Sequence, residues 1–361
     1  DTGDSAPYTP AMRKQCPVNF IRETIKGLFN IGRPGADARN SHIDAMKGVA
    51  IILVVLGHSI QVTDPDYDNN VLFRIIYSFH LPLFMFLSGL VLPKQLVYSI
   101  PAYLKKNALR LVLPFIVWYS IGFVVVRFNQ NVGFWDYLIN LALYPDRGLW
   151  FLWVLFINST MLFSALTVVR LNNLSRWENH AVIAVILVTR TFSTDVLGLA
   201  MVKNYFPYYV AGFFVYKYFG ALKGRRAIIY GASLLFPLLV LGWRRNAFPS
   251  FYPTLLHLCN DQHIARLIVS IYKYAVSFLG IIFASAVLEN IKAFRFNAFL
   301  CGLGTVTFDI YVCHGYFLIG FGAGPLRYLS AFVMAMTLSL GLTLVLRRIR
   351  IMKLLLFGQM P

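Results

Sequence analysis

The fold is decided by one stretch, GVAIILVVLGHSIQV (Gly48–Val62). It carries no Lys, Arg, Asp or Glu, and with its flanks it reaches the ~20 residues a helix needs to cross a hydrocarbon core of ~30 Å. Inside lipid the backbone has no water to bond, so a run of this kind must satisfy its polar groups within a helix. Comparable runs recur on either side of it. The sequence predicts spans at about 44–62, 71–92, 110–126, 149–169, 179–197, 204–220, 227–243, 268–288, 298–320 and 328–346. About ten such helices make an all-α, polytopic transmembrane bundle. The fifth contains Arg190, and the ninth contains Asp309 and His314.

Composition agrees. Hydrophobic residues are 58% of the 361 and charged residues only 13%, against about 25% charged in a soluble domain. The net charge of +18 would suggest nucleic acid in a water-soluble protein. In a bundle it has a simpler origin, because cytoplasmic loops are enriched in Lys and Arg. Placing the N-terminus inside puts most of the 33 basic residues on the cytoplasmic side and leaves the acidic loop Thr63–Asn70 outside. An even number of spans then returns the C-terminus to the cytoplasm. The expected partner is membrane lipid, not nucleic acid.

This gives three regions. Residues 1–42 form a basic cytoplasmic segment, with Arg13, Lys14, Arg22, Lys26, Arg33 and Arg39 and a short amphipathic helix near 18–30. Residues 43–346 form the transmembrane domain, and 347–361 a cytoplasmic tail. The polar first 40 residues leave the first span as the expected insertion signal. Cys16, Cys259, Cys301 and Cys313 share no C-x-x-C spacing, so they read as packing residues rather than a disulfide framework or a zinc site.

Polar groups inside a bilayer are costly and are therefore functional candidates. His58 lies in the first span, eleven residues after Lys47. Eleven helical steps make roughly three turns plus 20°, so both side chains share one face about 16 Å apart along the axis. That arrangement suits a long anionic ligand, with a cation at the mouth and a base at depth. The alternatives are a core histidine bonded to a neighbouring helix and a lysine that snorkels to the interface. His80 lies mid-way through the second span, with Arg74 near its outer end; Pro82 removes a backbone donor and frees a carbonyl. Lys105, Lys106 and Arg110 could join Lys47 in a basic rim for phosphates, or serve as ordinary cytoplasmic anchors. Trp150 and Trp153 open the fourth span, as interface anchors or as a sugar platform. Asp309 and His314 are intramembrane ionisable groups of the ninth span, open to a structural or a ligand-binding role. No metal motif, phosphate-binding glycine loop or G-x-S-x-G elbow occurs.

Lys47-x10-His58 resembles the Arg/Lys-x10-His signature of the acyltransferase family 3 membrane proteins. Phe79-His80-Leu81-Pro82-Leu83-Phe84 through Ser88-Gly89 is similar to a second block of that family, in the form typical of its fucose-4-O-acetylase-like branch. Arg110 to Pro114, Leu149 to Leu152 and Gly304 to His314 match further blocks in the same order. The resemblance covers about residues 40–346. It implies acetyl-CoA as a cytoplasmic donor substrate, no metal, and a carbohydrate hydroxyl as acceptor, on a bacterial surface polysaccharide or its lipid-linked precursor. The location implied is the bacterial inner membrane, in reach of polysaccharide assembly machinery. Lys47 stands where the family more often has Arg, and no C-terminal hydrolase-like domain follows, so the chain resembles the stand-alone type.

On this reading His58 and His80 are the catalytic candidates, and Lys47, Lys105, Lys106 and Arg110 hold the donor's phosphates. Arg74, Trp150, Trp153, Asp309 and His314 are the acceptor-side candidates. His58 takes the proton of the sugar hydroxyl or accepts the acetyl group itself. Two other functions fit the spans. A flippase or transporter of a lipid-linked sugar explains the bundle but not the Lys47–His58 spacing. A structural partner in polysaccharide export predicts that His58 and His80 are dispensable.

Overall fold

A computed structural model describes residues 41–127, 133–144, 149–223, 225–291, 294–320, 322 and 324–359. The amphipathic helix expected near 18–30 and the basic residues through Arg39 lie outside that range. The described elements are α1 (Ser41–Thr63), α2 (Val71–Val91), α3 (Ile100–Asn107), α4 (Leu113–Gly122), α5 (Phe134–Leu143), α6 (Trp150–Leu171), α7 (Glu178–Arg190), α8 (Leu199–Lys223), α9 (Arg226–Ser233), α10 (Phe236–Leu239), α11 (Tyr252–Cys259), α12 (Gln262–Asn290), α13 (Phe294–Cys313), α14 (Pro325–Leu346) and α15 (Arg350–Phe357). Short 3₁₀ and π-helical turns link several of them, and no β-strand occurs among the described residues.

Seven described helical segments are long and apolar enough to cross a membrane: α1, α2 with its 3₁₀ extension, the continuous α3–α4 segment, α6, α12, α13 and α14. The protein is an all-helical integral membrane protein. The other three expected spans have local reasons to fall short. α7 is only 13 residues long, about 20 Å, and ends at Arg190. α8 has 25 residues but carries Lys203 and Lys217 and departs from helical geometry at Tyr218. The run from Arg226 to Gly242 breaks into α9, α10 and a 3₁₀ turn, with Pro237 at the start of α10.

The bundle is organised around α1. Gly48 of α1 rests on the carbonyl of Leu300, and Gly304 of α13 rests on the carbonyl of Asp44. The two backbones touch with no side chain between them, as small residues allow in membrane helix pairs. Gly89 of α2 and Gly212 of α8 make the same reciprocal contact, against Tyr209 and Phe86. A leucine at 304 would have to push α1 aside. Gly304→Leu is therefore expected to lower the melting temperature in detergent sharply, beyond the ~1–3 kcal/mol of ordinary overpacking, whereas Gly341→Leu, with open space at its Cα, is expected to change little.

α2 begins on an Asn70 cap, whose side chain accepts the Phe73 amide at 3.2 Å. Pro82 interrupts its hydrogen-bond ladder, and the carbonyl left without a helical donor is that of Ser78. Ser277 of α12 supplies one, its hydroxyl bonding the Ser78 oxygen at 2.6 Å. The proline thus cross-links two spans as well as bending one.

Glu178 ties three elements together, accepting from Arg170 at 2.7 Å and Lys217 at 3.0 Å. Burial alone would raise its pKa, but the hydrogen bonds from Lys217 and Arg170 hold the carboxyl below the usual carboxylate range. A depressed carboxylate stabilises the fold above its unfolded pKa, and that contribution is lost as pH falls through the folded value. Glu178→Gln should lower the melting temperature at neutral pH, with a deficit that shrinks in acid; a pH series of thermal unfolding curves measures it.

Candidate active site

A cavity of about 1280 Å³ opens among α1, α2, α4, α5, α8, α12 and the turn after α13. It lies at the end of the bundle that carries the connections between α1 and α2 and between α10 and α11. His58, Tyr77, His314, Trp150, Arg245 and Lys273 are among the residues lining it.

His58 and His314 face each other with ring centroids 5.4 Å apart. Their hydrogen-bond partners fix where each proton sits. The Tyr77 hydroxyl donates to Gln61 Oε1 at 2.6 Å, so its oxygen is left to accept from His58 Nδ1, 3.2 Å away. His58 therefore carries its proton on Nδ1 and a lone pair on Nε2. His314 Nδ1 lies 2.8 Å from the Tyr311 carbonyl and 3.2 Å from that of Ile310. Carbonyls only accept, so this Nδ1 also bears the proton and Nε2 the lone pair. Two basic imidazole nitrogens thus serve one cavity, each set by a bond on the far side of its ring.

His80 is fully buried and is not among the residues that line the cavity. Its Nδ1 donates to the Ile76 carbonyl at 2.8 Å, and its ring meets the edge of Tyr77, centroid to centroid 4.6 Å. It supports from behind the tyrosine that holds His58. Phe73 stacks on another side of Tyr77 at 3.9 Å, so the phenol is fixed by its own helix.

None of the four expected phosphate ligands lines the cavity. Lys47 pairs with Asp44 at 3.3 Å, one turn apart at the far end of α1. Lys106 donates to the Tyr98 hydroxyl at 2.9 Å and sits over its ring. Lys105 and Arg110 are exposed, and Arg110 lies in the π-helical turn between α3 and α4. These residues lie away from the histidines and outside the cavity.

The acceptor-side candidates divide. Trp150 and His314 line the cavity. Arg74 donates to the carbonyls of Leu241 at 2.7 Å and Asn69 at 3.1 Å, bracing the loops. Trp153 donates to the Leu197 carbonyl at 2.9 Å and stacks on Phe115. Asp309, fully buried, pairs with Arg347.

Sequence reasoning missed Tyr77, Gln61, Arg245 and Lys273. A signal existed for the first two. Gln61 is three residues after His58 and Tyr77 three before His80, the spacing that shares a helix face. Arg245 lies in a loop, where no periodicity marks it, and Lys273 is one residue in a long apolar helix.

With a membrane-embedded bundle and a histidine-lined cavity in view, the comparison with known families gives a class. A family model described as an acyltransferase domain, that of acyltransferase family 3, matches residues 40–348. The chain belongs to that family, and the expected resemblance is confirmed. It is similar to the nodulation protein NolL of Mesorhizobium japonicum, 27% identical over 288 residues that cover 75% of this chain and 71% of the relative. It is also similar to the nodulation protein NolL of Sinorhizobium fredii, 30% identical over 191 residues that cover 50% of this chain and 49% of the relative. No solved structure matches.

Proposed function

We propose that this acyltransferase is an O-acetyltransferase of the bacterial inner membrane, which moves acetyl from acetyl-CoA to a sugar hydroxyl of a surface polysaccharide or its lipid-linked precursor. The observation that carries the reading is the His58 ring, held on Nδ1 by Tyr77 with Nε2 left as a base in a large cavity.

The chemistry follows from that tautomer. Nε2 of His58 takes the proton of the acceptor hydroxyl as its oxygen attacks the thioester carbonyl. The tetrahedral intermediate collapses with cleavage of the C–S bond, and the departing sulfur of CoA takes the proton back from His58. The Tyr77 oxygen, itself locked by Gln61, stabilises the imidazolium that forms between the two transfers. His314, with its Nδ1–H committed to backbone carbonyls, offers only an acceptor atom and so receives a hydrogen bond from a sugar hydroxyl. Trp150 supplies an aromatic face to the sugar ring. Arg74, Trp153 and Asp309 act on the acceptor only indirectly, through the loops and helices they brace.

The donor's phosphates bind at the rim formed by Lys47, Lys105, Lys106 and Arg110. Lys47 and His58 share a face of α1 about 16 Å apart, the direction along which the pantetheine arm would run. Purified protein with acetyl-CoA and a glycan should release free CoA and yield a glycan heavier by one acetyl group, read by mass spectrometry. A glycan that crosses the membrane with no CoA released would identify a flippase instead.

A further inference from the structure

The charged lining of the cavity is one-sided. Among the described residues that line it, Arg245 and Lys273 are charged and none is Asp or Glu. The nearby carboxylate of Asp68 lies outside the lining: its oxygens accept the backbone amides of Arg245 at 2.9 Å and Asn246 at 3.2 Å, and its charge acts on Lys273 from behind the cavity wall. Asp68 fixes the loop that presents Arg245. The Arg245 guanidinium lies over the ring of Tyr77, 4.7 Å from its centroid, and Tyr77 is the residue bonded to His58. Lys273 is half-buried on α12, its ammonium 5.9 Å from the Trp243 ring centre. A lysine within a spanning helix is costly unless it is paired, and Arg245 reaches the same cavity from an exposed loop. They are worthwhile when a ligand brings the counter-charge.

We infer that Arg245 and Lys273 form an anion-binding subsite for the acceptor, and that the saccharide acetylated by this enzyme carries an acidic group, a carboxylate or a phosphate ester. The inference rests on the proposed acetyltransferase reading and deepens it. Held by Arg245, the anion would be one side chain away from His58, which sets a neighbouring hydroxyl against Nε2. The volume of about 1280 Å³ exceeds the ~300–1,000 Å³ of typical small-ligand pockets, which gives room for an oligosaccharide with its acidic group at Arg245 and Lys273 while another sugar reaches His58. The acid could belong to a uronic sugar or to the diphosphate of a lipid carrier. The chemistry recognised is the same, and the two sources can be separated.

The test is equilibrium binding to purified protein in nanodiscs of zwitterionic lipid. Three probes are used: a glucuronic-acid-containing oligosaccharide, its carboxyl methyl ester, and a prenyl-diphosphate-linked oligosaccharide of neutral sugars. The acid, the diphosphate or both should bind at least ~10-fold more tightly than the ester, the fold-change equivalent to ~1.4 kcal/mol. Which probe gains identifies the source of the anion. Arg245→Gln and Lys273→Gln should each erase most of the preference while leaving ester and acetyl-CoA binding as they were. Equal binding of all three probes, or a preference that survives both substitutions, overturns the subsite. Weakened acetyl-CoA binding in these variants also overturns it, by assigning the cations to the donor. Binding does not need turnover, so the subsite can stand even if no CoA is released, and the acetyltransferase reading then fails alone.

Discussion

His58→Ala is expected to lower the rate of acetyl transfer by about 10²–10⁴-fold, the range lost with a general base, while the protein still inserts and melts near the wild-type temperature. His58 is only partly buried and faces the cavity, so its removal loses its contacts with Tyr77 and His314 without opening the packed core. The wild-type tautomer depends on Tyr77, and Tyr77→Phe keeps the ring that stacks on Phe73 but removes the acceptor for Nδ1–H. The imidazole is then free to turn or to carry its proton on Nε2, where it cannot act as a base. Tyr77→Phe should therefore lower kcat more than it raises KM, by less than His58→Ala does, and adding it to His58→Ala should cost nothing more, since the two act as one unit. Measured by CoA release, full activity in His58→Ala would end the general-base assignment; independent, multiplicative losses would show that Tyr77 acts elsewhere.

How much of this was readable in the chain depends on the distance over which each feature is encoded. The span at Gly48–Val62 was legible because helix formation in lipid is a local requirement. Pro82 was legible for the same reason, although the hydroxyl that answers its freed carbonyl, Ser277, lies 199 residues away and could not be foreseen. The short α7 and the broken α9–α10 run show the limit of hydropathy: a window averages over Glu178 and Arg190, or over Gly231 and Pro237, where the backbone responds to each. In the site, the 11-residue spacing from Lys47 to His58 places both on one face of α1, but only His58 lines the cavity, where it meets His314 and not the expected His80. It did not reveal that Lys47 and the histidines serve different ends of the bundle. Arg245 was unreadable because its place over Tyr77 is created by loop closure onto Asp68, a tertiary event with no sequence period.

The largest effect on stability is expected at Asp309. Its carboxylate is fully buried on α13, paired with Arg347 beyond the end of α14, and it also accepts from Gln359 at 3.4 Å. The C-terminal helix α15 is anchored in the same region, where Trp118 of α4 donates to the Leu356 carbonyl at 2.8 Å. Removing one member of a buried pair strands the other and typically costs ~3–5 kcal/mol, whereas replacing both by apolar side chains of similar size is often neutral. Asp309→Leu should therefore destabilise strongly, because it leaves the Arg347 charge against an apolar side chain. Arg347→Met should do the same by stranding the carboxylate, and the double variant should recover most of the loss. Thermal unfolding in detergent measures the cycle, and the coupling expected is large, the double variant being far less destabilised than the sum of the two single losses. The cycle also separates two roles for Asp309. If the residue serves only to hold α13, α14 and the C-terminal helix together, the double variant regains acetyl transfer along with its melting temperature. Were Asp309 to bind the acceptor directly, stability would return in the double variant and activity would not.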